Sequence, residues 1–401
     1  MIPALYPYLT FFDFVAFLNI FNHSVETFEE SLRQKFQSKY CITYSSGRAG
    51  LYHILKANGI KNKKVLVSAY TCCVVTEAVV QSGNTPVFVD TCKGSFNAEI
   101  ENEDIEKYIP NLGAVIVTNL YGLTDFSKSE LLNNKARDFL LILDDALTPG
   151  DISDGNKDVY DYIFISGGVR KPFTCLGGGV VFTDSENNFK ALKVYTVERR
   201  KIMGNFLKIK FFLFASLFFL SFRIIVYPFV SFVRHNTGFL NSFFNERNND
   251  IHKEVPEYFE DMCDFQKRIG YNQLNKLEKL LDKRKKIGNI YYELLKPTYP
   301  WISEFWKKDT AYSHVPFLHP ERDLLEKYLL KHGIDTERYF DYSVPELKQY
   351  KHNGKYPNAE HLSKQMINLP INMGLTESDI KYIVDKIIEF DVVKNSNSNN
   401  T

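Results

Sequence analysis

Cysteine is scarce and follows no metal or disulfide pattern. The 401-residue chain has six, at positions 41, 72, 73, 92, 175 and 263, and no two form a C-x-x-C pair. That excludes a zinc ribbon or a disulfide framework as the organising device, and no metal site is expected. Reduced thiols fit a cytoplasmic protein. Excess charge is also missing. The 49 Lys and Arg stand against 48 Asp and Glu, a net +1, so no nucleic-acid partner is expected. The opening MIPALYPYLTFFDF lacks a basic n-region and does not read as a secretory signal. No repeat is present. No strand is followed by G-x-G-x-x-G, and the G-x-x-x-x-G-K-[ST] spacing does not occur. Neither a Rossmann dinucleotide site nor an NTPase phosphate loop is therefore supported.

What is there alternates short apolar runs with helical patterns over a length sufficient for a large domain and a smaller one. Val25, Phe28, Leu32 and Phe36 predict a helix over 25–38. Strands are expected at 40–44, 65–68, 86–90, 114–119 and 140–146, in a run ending at Ser166, and at 180–183. The run Leu140–Leu143, apolar throughout, suits a parallel strand covered on both faces. Helical patterns follow at 188–201, at 260–295 as one long helix, and at 323–332 before a Gly333 stop. Thr376 with Asp379 reads as the capped start of the last helix. The low-complexity tail from 394 predicts disorder.

Three stretches carry chemistry. Lys171 lies on a loop between two strands, followed by Gly177-Gly178-Gly179. A lysine desolvated in such a place has a lowered pKa and an amine free for Schiff-base formation. Ser45-Ser46-Gly47 precedes a helical pattern from Leu51 to Ala57, and a helix start with unpaired N–H groups suits an anion. An ordinary serine cap has the same sequence. The acids Asp144 and Asp145 close an apolar strand, and ligands in open α/β sheets sit beyond the carboxyl ends of strands.

In this order the stretches resemble the DegT-type sugar aminotransferases, pyridoxal 5′-phosphate (PLP) enzymes of the aspartate-aminotransferase fold. The family's Phe-Ser-x-x-x-x-Lys-x-x-x-x-Gly-Glu-Gly-Gly is met here by Ser166, Lys171 and Gly178-Gly179, with Leu176-Gly177 in place of Gly-Glu. Pro86–Asp90, Leu120-Tyr121-Gly122, Ile269–Leu274, Tyr356–Glu360 and Leu369–Thr376 also match. The resemblance implies an α/β fold with a mostly parallel seven-stranded central sheet and flanking helices (PLP fold type I), plus a smaller α+β C-terminal domain. It assigns Lys171 to the cofactor aldehyde and Asp145 to the pyridine nitrogen. Ser46, Gly47 and Ser166 match cofactor-binding positions, the first two at the phosphate. Arg48 replaces a threonine there and is expected to supply charge to the same group. Cys72 aligns with the aromatic that stacks on the ring, and Tyr70, two residues away, is the alternative. Thr148 replaces a Gln or His near the ring hydroxyl, and Asn119 replaces a His. Phe259-Glu260-Asp261 replaces an Asn-Tyr-Arg that reaches the partner subunit's phosphate, a loss that Arg48 could offset.

The expected domains are 1–205 for the cofactor, an insert at 206–255, a long helix with the small domain at 256–393, and the tail at 394–401. The insert contains FFLFASLFFLSFRIIVYPFVSFV, residues 211–233, apolar on every side. Its first twelve residues span about 18 Å as a helix, short of the ~30 Å bilayer core. One crossing would also separate two halves of one fold. A re-entrant or interfacial membrane element is one reading, and a hairpin buried in a protein interface is the other. The function implied is transfer of an amino group, from glutamate in most relatives, to a keto sugar carried on a nucleotide, for cell-surface polysaccharide or glycoconjugate synthesis. A homodimer in the cytoplasm, at the inner face of the membrane, is expected. Relatives that dehydrate sugars carry His at the lysine position, so Lys171 favours transamination. Another PLP reaction on a sugar, or a non-catalytic membrane-associated protein of this fold, remain the alternatives.

Overall fold

Seven short apolar runs pair into one sheet. They are β1 (Tyr40–Tyr44), β2 (Lys64–Ser68), β3 (Thr85–Val89), β4 (Leu112–Thr118), β5 (Leu140–Asp144), β6 (Tyr162–Ser166) and β7 (Gly179–Thr183). Their order is β1-β7-β6-β5-β4-β2-β3, and only β7 runs antiparallel to its neighbours. The computed structural model describes residues 1–4, 9–10, 13, 24–98, 100–123, 132, 134, 136–149, 157–221, 226–237, 254–350 and 354–398.

Alternate side chains point to opposite faces, as a period of two requires. Leu66, Val115, Leu141, Leu143, Ile163 and Ile165 enter one core, and Val65, Val67, Ala114, Ile116, Ile142 and Phe164 enter the other. On the first face lie α1 (Ser24–Lys35) and, further along the chain, α7 (Asp264–Leu274), which pack on each other. Helices α2 (Gly47–Ala57) and α3 (Cys73–Gln81) cover the second. After β7 the chain forms α4 (Glu186–Arg199), then α5 (Asn205–Ser221) and α6 (Tyr227–Thr237).

The helix expected over 260–295 is two. Helix α7 ends at Asn275, and α8 (Leu277–Leu295) starts after Lys276, whose Nζ reaches Thr10 Oγ1 at 2.8 Å and Asp13 Oδ2 at 2.7 Å. The apolar stripe continues across the break, which is why the pattern read as unbroken. The small domain pairs β8 (Val315–Leu318) with β9 (Met366–Leu369) and adds α9 (Arg322–Lys331), α10 (Pro357–Gln365) and α11 (Glu377–Ser398). Thr376 caps α11, its Oγ1 accepting the Asp379 N–H at 3.2 Å. Helix α11 continues through Lys394 to Ser398, where low complexity predicted disorder.

The first residues, assigned from sequence to the large domain, lie on the small one. Ile2 donates to Gly333 O at 2.7 Å and accepts from Asp335 N at 2.9 Å. In the insert, Arg223 and the side chain of Arg234 lie outside the described residues. Among those described, no helix is long and apolar enough to cross a membrane.

Candidate active site

The site begins as a backbone cradle. Ser46 is the N-cap of α2, its Oγ accepting the Ala49 N–H at 3.2 Å. The end of β6 lies against this helix start, for a Cβ on Gly47 would meet Ile165 O and Ser166 Cβ at 3.3 Å. The glycine turn closes the third side. A Cβ on Gly179 would fall 2.3 Å from Gly47 N, so nothing larger fits there. Ser46, Gly47, Ser166 and Gly178-Gly179 are thus brought together from three parts of the chain.

The loop carrying Lys171 is a closed lobe. Gly167 donates to Gly178 O at 2.8 Å, and Cys175 and Gly177 donate to Gly167 O at 2.8 and 2.9 Å. The lysine stem runs over Gly168, where an added Cβ would contact Lys171 Cγ at 3.7 Å. Its Nζ donates to the Tyr339 hydroxyl at 2.6 Å. The Tyr339 ring packs on the His314 imidazole at 4.2 Å between centroids. Burial first, then the charges of Lys171, Arg284 and Arg170, hold His314 well below its usual pKa, so the ring is neutral at pH 7. Its Nε2 is buried with no hydrogen-bond partner among the described residues. Sequence reasoning missed both Tyr339 and His314, which come from the small domain.

The acids lie at the carboxyl end of β5. Asp145 is fully buried, its N–H donating to Phe164 O at 3.0 Å and its Oδ1 accepting from Asn119 Nδ2 at 2.8 Å. Burial pushes the neighbouring Asp144 carboxyl up to about 6, opposed by the Ala146 N–H and the Lys171 charge. Lys171 is therefore felt electrically at this strand end. Thr148 is buried beside Gly122, and its Oγ1 has no partner among the described residues.

Three of the expected contact residues are placed as follows. Arg48 sets its Nη1 on Glu77 and its Nη2 on Glu257, each at 3.1 Å, and so links α2 to α3 and to the segment before α7. Its guanidinium is thus engaged with two carboxylates. Tyr70 is fully buried, its hydroxyl donating to Phe340 O at 3.1 Å and its ring edge on Phe340 at 5.7 Å. It is a core residue joining the two domains. Cys72, the other candidate, is half-buried at the N-cap of α3, on the rim of the core.

The set suits a phosphorylated aromatic aldehyde. It offers an amine, a buried carboxylate for a ring nitrogen, and a capped helix start flanked by two serines for a phosphate. Buried polar atoms with no partner among the described residues, such as Thr148 Oγ1 and Asn119 Oδ1, fit a polar ligand beside them. The comparisons agree. The profile of the DegT/DnrJ/EryC1/StrS aminotransferase family matches residues 18–208 and 234–388. A UDP-4-amino-4,6-dideoxy-N-acetyl-beta-L-altrosamine transaminase of Campylobacter jejuni is 22% identical over 380 residues, 90% of this chain and 88% of that one. Among solved structures, the Helicobacter pylori aminotransferase PseC, involved in pseudoaminic acid biosynthesis, superposes with a TM-score of 0.72 at 18% identity, covering 97% of this chain and 98% of that one. The Escherichia coli GDP-4-keto-6-deoxy-D-mannose-3-dehydratase with bound hydrated PLP does so at 0.69 and 17%, covering 96% and 99%. The chain belongs to the DegT/DnrJ/EryC1/StrS aminotransferase family.

Proposed function

We propose that this chain moves an amino group from glutamate to a keto sugar carried on a nucleotide, in the synthesis of a cell-surface polysaccharide or glycoconjugate. The observation that carries the reading is Lys171 on the β6–β7 lobe, its amine on Tyr339 and its stem over Gly168. Structural likeness alone embraces a dehydratase, and a lysine at this position favours transamination over dehydration.

Bound PLP supplies an aldehyde that condenses with amines and a ring that accepts electron density. We assign the chain's own residues the roles that the resemblance implies, together with those their positions support. Ser46, Gly47 and Ser166 bind the phosphate through the helix start and hydroxyls. Asp145 holds a proton on the ring nitrogen, and Asn119 orients that carboxylate. Cys72 would lie against the ring face, and Thr148 beside the ring hydroxyl. Lys171 would serve as the base at the donor carbon, with Tyr339 fixing the amine. His314, held neutral by burial, stacks on Tyr339 and so backs the wall beside the lysine amine. We propose further that the enzyme is a cytoplasmic homodimer that contacts the inner face of the membrane through residues 211–233.

The test is incubation of the purified chain with glutamate and a panel of nucleotide-linked keto sugars, read by mass spectrometry. An amino sugar formed with loss of the glutamate amine supports the reading. Dehydrated sugar, or no product from any member of the panel, contradicts it.

A further inference from the structure

Residues 209–233 fall outside the family match and include most of α5 and α6. Their packed sides reach the active site from two directions. On α5, Ala215, Phe218 and Phe219 are buried in one cluster with Leu176 and with Ile269 of α7, and Val169 packs against it. Val169 precedes Lys171 in the lobe and Leu176 follows it, so the cluster takes in both flanks of the lysine. Phe173 and Cys175 enter the other core, the one shared by α1 and α7, so the lobe is held on two sides. Leu176 has a φ of 57°, in the left-handed region that glycine adopts without strain, and it stands where the resembling pattern carries glycine. A leucine on that backbone is unfavourable unless its side chain gains something in return. Here it gains burial in the α5 cluster. Two departures from the family pattern, the leucine and the insert, therefore meet.

Helix α6 takes the opposite wall. Asp335 is fully buried, and its Oδ2 accepts the Tyr227 hydroxyl at 2.6 Å and the Ser231 hydroxyl at 3.3 Å. A buried carboxylate is costly without such donors, so these bonds tie the chain at Asp335 to α6. The same stretch leads to Tyr339. Asp335 N donates to Ile2 O at 2.9 Å, and Glu337 and Asn368 exchange backbone bonds of 3.2 and 2.7 Å. Asn368 Oδ1 then accepts the Tyr339 N–H at 2.9 Å, and the Tyr339 hydroxyl meets Lys171 Nζ at 2.6 Å. The contacts run from α5 to the lysine lobe, across the amine to Tyr339, and back through Asp335 to α6.

Resting on the reading of Lys171 as the cofactor amine, we infer that the insert braces the bond between Lys171 and Tyr339. Helix α5 sets the lysine lobe, α6 sets the Tyr339 segment, and together they hold the amine on the phenol. Phe218 and Tyr227 are then positioning residues that act through Lys171 and Tyr339. This role uses the packed sides of the two helices and does not depend on what their other sides meet.

Competitive acetylation of the full chain before PLP is added, read by peptide mass mapping, tests this. Tyr227→Phe removes only the hydroxyl on Asp335, and Phe218→Ala empties part of the α5 cluster. Each should raise acetylation of Lys171 about threefold or more, the lower end of the coupling that neighbouring side chains show, with the other lysines unchanged. Phe218→Leu, which refills the cluster, should return Lys171 to the parent level. In a Tyr339→Phe background the braced bond is already gone, so neither change should add to the rise. Parent-level labelling of Lys171 in Tyr227→Phe, a change too small to unfold the chain, overturns the brace. So does a rise in that variant that adds to the effect of Tyr339→Phe, or one shared by all lysines. The readout needs neither cofactor nor sugar. Lack of an amino-sugar product would therefore overturn the proposed reaction and leave the brace standing, and unchanged labelling would do the reverse.

Discussion

The cradle that faces the cofactor phosphate and the wall that faces the lysine amine are built in opposite ways. The cradle is backbone. Gly179 lies on Gly47, Ser166 beside Gly47, and Ser46 caps α2, all through turns whose residue types are fixed locally. The wall is made of side chains from distant parts of the chain. Tyr339 reaches Lys171 across 168 positions, and His314 stacks on Tyr339. A backbone cradle tolerates no added atoms but needs no particular side chains around it. A side-chain wall tolerates gradual change. The two therefore ought to fail differently.

Gly179→Ala should have the largest effect. Its Cβ would fall 2.3 Å from Gly47 N, so the cradle must open. We expect loss of PLP from the purified protein and a stability decrease of about 3 kcal/mol or more, read by absorbance and urea denaturation. Gly47→Ala, with contacts of 3.3 Å, should be far milder, and equal effects would break the comparison. Next comes Glu77→Ala. It leaves the Arg48 guanidinium with one of its two carboxylates and should cost about 3 kcal/mol in thermal denaturation. If Arg48 served the phosphate and not the fold, the loss would fall on cofactor affinity. On the wall, Tyr339→Phe removes the hydroxyl holding Lys171 Nζ and should lower kcat about tenfold with PLP retained. Loss of PLP in this variant would mean the wall also shapes the cradle.

The last effect is on pH. The Asp144 carboxyl is raised by burial from 3.8 to about 6, so the folded state holds its proton more tightly than the unfolded state does. That contribution is fully present below pH 3.8 and is lost as pH rises through about 6. Asp144→Asn should therefore gain stability relative to the parent across this window, and level curves above it. A difference of the opposite sign would mean that the Lys171 charge outweighs burial.

The same division explains what could be read beforehand. β1 lies over the predicted 40–44, and the other strands of the large domain fall within two residues of expectation, because a continuous apolar run under two covered faces is a local signal. Two matched stretches prove to be one contact. The Asp90 carboxylate of the PVFVD run accepts the N–H groups of Asn358 and Ala359 at the start of α10. Their resemblance was legible, and their meeting was not. Arg48 was assigned by its neighbours in sequence, whereas Glu77 and Glu257 are set by tertiary packing. Tyr70 went the same way once Phe340 covered it. No period or motif marks Tyr339 or His314, since each gains its place from a contact with the other domain. The apolar run at 211–233 announced that something lay outside the family pattern. Which of its faces is packed against the Lys171 lobe, through Leu176, emerged only with the fold.

Borohydride reduction of the PLP-loaded chain, followed by digestion and peptide mass mapping, tests the central claim most directly. A pyridoxyl mass on the peptide bearing Lys171, and none in Lys171→Ala, is the predicted result. The same mass on another lysine, or on no peptide at all, would contradict the account.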